Sequence, residues 1–574
     1  MRLCVLGRCA LGLAVGVVLG LVAQPAAAQP DLSFELPLLG RTTFSLTSTS
    51  TLRYRGDNYD PNLFDDDFGS LYERLDLALQ SDHVRVEARV DAFVPHTVFE
   101  VSRCASQPLG EGNPNCYLEW DLRPERLAIR WEPTSEWILE AGDSQIVFGR
   151  GLALSFRKVD LLGVDNALRG GHLRFSGSNI RFGLHGGVAN PQNQDPIDLR
   201  IISEPDDIIA GGTFGVTMPG ALPVTIGGHA LRVWFMDTDD RLESNRAVDI
   251  AGWTLEAPAL ADGKLAVYLE ANGMRRTFDI VDQGRIEGGR AVYGSAQLQL
   301  DNLTVLLEWK DYTNYLVAPN LGEGQAWRIY NAAPPVEYDG PQRLRGIGNQ
   351  RGGGVRMDYA FLPGPWSFSL NTVLYGFSEE GPIDPWDGLI ASHSWVTLAK
   401  RQEYGESLNW SLDIQAGARF ELLLHDAPAH NAYAGEVDRW MIHGKIDLTL
   451  GSGEHSFDIV LDHRHERERR GVEMYDFQIG GASVTYTFGV PLTLTLSLRW
   501  TDFQEGEVQR RGMKEYNFLG GEFYPSLEAR WTFEPGTYLG VFVGQTPGGQ
   551  LCSGGVCRDV PTFEGIRLSF VGRL

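Results

Sequence analysis

Residues 84–92 read VRVEARVDA, in which Val84, Val86, Ala88, Val90 and Ala92 interleave with Arg85, Glu87, Arg89 and Asp91. An extended strand sends successive side chains to opposite faces, so this stretch has one apolar face and one fully ionic face. The pattern returns in Leu412, Ile414, Ala416, Ala418, Phe420 and Leu422 against Asp413, Gln415, Gly417, Arg419 and Glu421. It returns again in Leu492, Leu494, Leu496, Leu498 and Trp500 against Thr493, Thr495, Ser497 and Arg499, and in Phe457, Ile459 and Leu461 against Asp458, Asp462 and Arg464.

A soluble two-layer sandwich also alternates, so the connections must decide. Short turns fall at 81–83, 132–135, 176–179, 219–223, 261–263, 301–302, 362–365, 403–407, 451–454, 489–491 and 534–537. Between them lie connections of about 11 to 37 residues, the longest over 316–351, and this alternation is the mark of an outer-membrane barrel with periplasmic turns and extracellular loops. The expected fold is an all-β, transmembrane antiparallel β-barrel of about 24 strands, within a range of 22 to 26, running from near Thr43 to near Phe570. An even count puts both ends of the barrel in the periplasm.

Aromatic residues favour the two membrane interfaces. Trp131, Trp137, Phe361, Trp366, Trp531, Phe533 and Tyr538 cluster beside the short turns, and Trp234, Phe235, Trp309, Tyr375, Phe377 and Trp500 sit near the long-loop ends. A rival explanation is that aromatics are common in any strand. The last segment resembles the C-terminal signal of outer-membrane barrels in the spacing of Gly565, Leu568 and Phe570, although Val571 to Leu574 follow the aromatic residue.

The N-terminus points to export. Arg2 and Arg8 precede an apolar core from Ala10 to Ala23, and Ala26, Ala27 and Ala28 supply small residues for cleavage, so 1–28 reads as a signal peptide and 29–574 as the barrel. A membrane-anchor helix is the competing reading, but the core is shorter than the roughly 20 residues such a helix needs. Cys4 and Cys9 lie before or inside that core, which is the wrong place for a lipid-anchored cysteine. The composition is 43% apolar with 67 glycines in 574 residues, too hydrophobic for disorder and too glycine-rich for a helical array. The formal net charge of −24 becomes −26 when Arg2 and Arg8 leave, which argues against nucleic acid as a partner. The expected location is the outer membrane of a Gram-negative bacterium, with membrane lipid, lipopolysaccharide and the barrel-assembly machinery as partners. Composition says nothing of the oligomeric state.

Four cysteines remain in two close pairs, Cys104 with Cys116 and Cys552 with Cys557, each placed to pin its own extracellular loop by a disulfide. Zinc is the rival, but no fourth ligand lies nearby in sequence. The run HRHERER, containing His463, His465 and Glu466, is a metal candidate whose blander reading is solvated loop charge. The acidic stretch 57–67 has carboxylates for Ca²⁺ without the spacing of an EF-hand. Enzyme templates are missing: there is no HExxH, Walker loop or supported GxSxG elbow, so neither an enzyme nor a cofactor is expected, and an outer-membrane hydrolase fits poorly.

One segment breaks the rhythm. Residues 142–171 read GDSQIVFGRGLALSFRKVDLLGVDNALRGG and lack clean alternation, which suggests a loop folded into the lumen. Arg150, Arg157, Lys158 and Arg169 would bring positive charge to a constriction, with Asp143, Asp160 and Asp165 available to pair with them. The stretch resembles a motif of poorly characterised, porin-like bacterial outer-membrane barrels, carried here by Gly142, Asp143, Phe148 to Leu152, Asp165 and Leu168 to Gly170. The resemblance covers some thirty residues strongly and implies no substrate. Two roles stay open for the segment: a brace of glycine bends and ion pairs, or a basic selectivity filter inside an acidic protein.

Two functions compete at this level. An inner face of Arg85, Glu87, Arg89, Asp91, Asp413, Arg419, Glu421, Arg499 and Arg530 suits a wet transport pore for small solutes or ions, with 142–171 and 316–351 as its plugs. Alternatively, ion-pair ladders close the lumen, and the barrel is a structural or surface-interaction scaffold.

Overall fold

The computed structural model describes residues 32–573, apart from 37–39, 57–67, 98–120, 160–162, 192–193, 195–205, 221–222, 237–244, 279–285, 319–328, 333, 335–347, 378–388, 405–407, 424–436, 471–472, 502–522, 554–555 and 561. Residues 1–28, expected to be a signal peptide, the acidic stretch 57–67, Cys104, Cys116 and Asp160 therefore lie outside the described residues.

The alternating stretches all become strands. The first eight barrel strands are Gly40–Arg55 (β1), Phe68–Gln80 (β2), Val84–Thr97 (β3), Asp121–Trp131 (β4), Trp137–Ser144 (β5), Val164–Ser176 (β6), Ile180–Pro191 (β7) and Ile208–Met218 (β8). The next eight are Val224–Trp234 (β9), Asn245–Leu260 (β10), Leu265–Phe278 (β11), Ile286–Gln299 (β12), Leu303–Thr313 (β13), Gln350–Phe361 (β14), Trp366–Phe377 (β15) and Leu389–Tyr404 (β16). The last eight are Leu408–Leu423 (β17), Val437–Ser452 (β18), His455–Arg470 (β19), Glu473–Phe488 (β20), Leu492–Thr501 (β21), Phe523–Glu534 (β22), Thr537–Thr546 (β23) and Phe563–Arg573 (β24).

Each strand pairs antiparallel with its sequence neighbour, and β24 returns to β1 with Gly565 opposite Arg55 and Arg573 opposite Thr47. The molecule is thus a closed 24-stranded antiparallel barrel. Closure satisfies every ladder without leaving a sheet edge, which a lipid environment demands. The residues after Phe570 simply extend β24 to Arg573.

The period-two pattern assigns the faces. Ile414, Phe420, Leu496, Trp253, Phe214 and Leu184 are exposed on the outside, so the barrel wears an apolar coat. The alternate positions turn inward and hold charges such as Arg89, Asp91, Arg419 and Glu421.

Three sequence expectations change. The charged run at residues 463–470, expected at an extracellular strand end, is carried by β19 throughout, and only residues 471–472 separate it from β20, far fewer than the expected loop length. Ladder pairing uses backbone groups alone, so a strand can continue where neither face is apolar. In β19, Glu466 takes an inward position beside Arg439 and Arg464, while His463 and His465 share the outer face with Leu461, packing against Trp500 and Trp440. Residues on opposite faces cannot share one metal ion. Finally, Phe235, Tyr375 and Tyr538 leave the proposed girdles. Phe235 stacks on Tyr330 inside, the Tyr375 hydroxyl accepts from Arg419, and the Tyr538 ring carries the inward Arg530 guanidinium.

Trp131, Phe361, Trp366, Trp531 and Phe533 do face outward beside the short turns, and Trp309 is exposed on the outer face. The backbone of a separate two-stranded ribbon sets Cys552 opposite Cys557.

Candidate functional site: a plug on one wall of the lumen

After Ser144 the chain leaves the wall, and it rejoins it at Val164 as β6. Between these points it folds against the inner face of β6 to β13. Ile146, Phe148, Leu152, Leu154 and Phe156 form one continuous core with inward wall residues such as Leu168, Leu231, Val248, Met274, Tyr293 and Tyr312. Leu152, Ala153 and Phe156 have no exposed surface at all. The two plug candidates meet here. Ser155 donates its N–H to the Tyr330 carbonyl at 2.7 Å, Ala332 donates to the Gly151 carbonyl at 3.0 Å, and the Phe156 and Tyr330 rings meet edge to face. Tyr330 and Ala332 of the 316–351 connection therefore hold the segment down.

The polar anchor of the plug is Glu270, inward on β11 and fully buried. Its carboxylate accepts from the Arg150 N–H at 2.9 Å, the Tyr268 hydroxyl at 2.7 Å and the Asn272 amide at 3.1 Å. Gly149 fits over it because it has no side chain: a Cβ there would lie 2.3 to 2.4 Å from the carboxylate, and its φ of +58° already disfavours other residues. Phe148 packs between the rings of His185 and His229. Burial pushes the Tyr315 hydroxyl pKa up and the Arg157 guanidinium pKa down, so the phenol stays neutral and the guanidinium keeps its charge at some cost.

The sequence-derived constriction residues separate into three groups. Arg150 and Lys158 are exposed on the plug, and Arg157 is half-buried beside them. Asp165 faces the lumen, where it accepts from Arg89 at 2.8 Å and from Gln145 at 3.2 Å. Asp143 and Arg169 do not belong to a filter. Asp143 shares a strand face with Trp137, Leu139 and Ala141, and Arg169 with Leu173 and Phe175, so both stand on the outer side of the wall. There Asp143, with no exposed surface, accepts from the Leu127 N–H at 2.8 Å, from Arg169 Nε at 2.9 Å and from the Asn190 amide at 2.8 Å. They brace the point where β5 ends. Residues missed by the sequence reading are Glu270, Tyr268, Asn272 and Tyr330, because the plug contacts of Glu270 and Tyr330, with Arg150 and Ser155, are far away in the chain.

The opposite wall is different in kind. Pairs of inward charges climb it: Arg356 with Asp358 at 2.9 Å, Lys445 with Asp447 at 3.3 Å, and Asp462 with Arg499 at 2.7 Å. These side chains are 30% to 54% exposed. Higher up, Arg419, Glu421, Arg439 and Glu466 form a network that is at most 3% exposed.

The class defined by this fold and site is a large antiparallel barrel holding an apolar plug against one wall and a charged ladder on the other. No family model matches the chain, and no curated protein matches it either. Among solved structures it is similar to the P pilus usher (PapC) translocation pore, with 10% identity, TM-score 0.36, and coverage of 92% of this chain and 99% of that one. It is also similar to the siderophore receptor PirA from Pseudomonas aeruginosa (8% identity, TM-score 0.42, 92% and 80% covered). A BenF-like porin from Pseudomonas fluorescens Pf-5 matches at 10% identity and TM-score 0.35, over 72% of this chain and 98% of that one.

Proposed function

We propose that the chain is a plugged channel of the Gram-negative outer membrane, passing small solutes or ions along the charged side of its lumen. The observation that supports this is the exposure of the inward ion pairs on β14, β18, β19 and β21: ionised side chains remain hydrated there, facing a plug that occupies only the other wall. In this reading the outer coat meets membrane lipid and lipopolysaccharide, and the barrel-assembly machinery inserts the chain. The Gly-Asp, Phe-Gly-Arg-Gly-Leu and Leu-Arg-Gly motif is then the signature of the plug and its brace, since each of these residues has a packing or hydrogen-bonding task. The chain has no catalytic role in this proposal.

In a planar bilayer the purified barrel should give stepwise single-channel currents. In this reading Arg150, Arg157 and Lys158 bring positive charge to the constriction, so replacing all three with Gln should lower the chloride-to-potassium permeability ratio by about twofold or more. An unchanged ratio removes them from the filter. The buried network of Arg419, Glu421, Arg439 and Glu466 favours a second reading, a barrel sealed toward its long-loop end. Protein that inserts fully and passes no current would establish that scaffold and overturn the channel.

A further inference from the structure

Below the plug, toward the short turns, the inner wall holds a cleft of about 580 Å³. Its upper lip is Val147 and Arg150, its floor includes Gly183, Thr213 and Thr254, and Arg174 and Arg181 flank it close to the β6–β7 turn. Resting on the channel reading above, we infer that this cleft is a binding site for a small organic anion bearing carboxylate or phosphate groups, which it collects at the short-turn mouth of the lumen.

The charges that reach solvent in the cleft are unequal. Arg174 and Arg181 are 41% and 55% exposed, and Arg150 is exposed as well, whereas the carboxylate open to the same solvent is that of Glu256. Glu256 is held by Arg181 at 3.3 Å, and Glu140, mostly buried, by Arg174 at 3.4 Å. Arg150 differs from both. Its N–H is tied to Glu270 and its guanidinium lies 4.7 Å above the Tyr268 ring, with no carboxylate within ion-pair distance among the described residues. A guanidinium held over a ring face by its charge spends no N–H group on that contact, so its donors stay available to an oxyanion.

Shape supports the same assignment. Gly183 contributes no side chain, so the floor lies at backbone level, and a Cβ there would already meet His185 and Thr213. Arg181 lies over Gly215 and its head group reaches Glu256, so the guanidinium runs along the short-turn side of the cleft. The hydroxyls of Thr213 and Thr254 and the apolar edge of Val147 suit a short polar body, and the volume accepts a molecule of that size but no polymer.

The test is isothermal titration of the full-length barrel in detergent with succinate as probe and succinamide as its uncharged counterpart. Succinate should bind saturably at one equivalent and succinamide should not. Arg150→Gln and Arg181→Gln should each weaken succinate about tenfold, as loss of a charged hydrogen bond does. Arg467→Gln, on the outer surface, should leave the affinity unchanged. Equal heats from succinamide, no saturable heat from succinate, or wild-type affinity in both cleft variants would overturn the site. Titration requires no current, so binding without conductance would remove the channel and keep the site. Conductance without binding would do the reverse.

Discussion

A barrel carrying Leu152→Asp and Phe156→Asp should conduct several-fold more than the parent protein. Both residues lie in the centre of the plug core without exposed surface, and each contributes about 1.5 to 3 kcal/mol by leaving water. The substitution removes that contribution and places two carboxylates inside an apolar core, at a cost far above what the segment can absorb. The plug must then leave the wall. The barrel need not follow, because its 24-strand ladder closes through backbone pairs that do not involve residues 145–157. Leu152→Met keeps volume and polarity and should behave as wild type. Single-channel recording checks the result, together with sensitivity of cells to bulky antibiotics that the parent excludes. Unchanged current through a correctly folded variant would show that the plug does not obstruct the passage.

The success of sequence reasoning here follows the physics of the pleat. Period two is a property of the strand itself, so faces could be read from residues such as 84–92 or 412–422 before any pairing was known. Turn positions followed for the same reason. The length of a strand beyond its last apolar residue is not written in that period, and this is why the reach of β19 through its charge and imidazole to Arg470 was not read from the sequence.

The plug was legible as a break in rhythm but not as a docked body, because its contacts with Glu270 and Tyr330 span more than a hundred residues. Asp143 shows the opposite case. Trp137, Leu139, Ala141 and Asp143 share one parity, which already placed the carboxylate outward. Its charge drew it into a filter that the alternation denied. Where residue type and periodicity conflict, the periodicity is the constraint the backbone cannot evade.

That carboxylate leads to the second large effect. Beside it, Gly142 has a φ of +112° and sits where a Cβ would fall 1.9 Å from the Leu127 carbonyl, so β4 and β5 touch backbone to backbone. Their ladder runs only from Ala128 opposite Gly142 to Trp131 opposite Leu139. Beyond it, side chains take over: Asp143 receives the Leu127 N–H, while Arg169 and Asn190 both donate to the Glu125 carbonyl at 3.0 Å.

Asp143→Ala removes the acceptor for three of these partners at once. Each donor left unsatisfied at a buried site costs about 1 to 3 kcal/mol, so the junction should lose several kcal/mol in total. Asp143→Asn should be nearly as harmful, because one of its two oxygens becomes an NH₂ pointed at donors. Arg169→Ala should cost distinctly less, since Asp143 keeps the Leu127 N–H and the Asn190 amide as donors. The measurement is the temperature at which the folded barrel loses its compact migration in detergent gels. The order expected is wild type, then Arg169→Ala, then Asp143→Asn and Asp143→Ala together at the bottom. If Arg169→Ala proved as damaging as Asp143→Ala, the ion pair itself would hold the junction. Equal stability of all four would mean that β4 and β5 need no brace where their ladder stops.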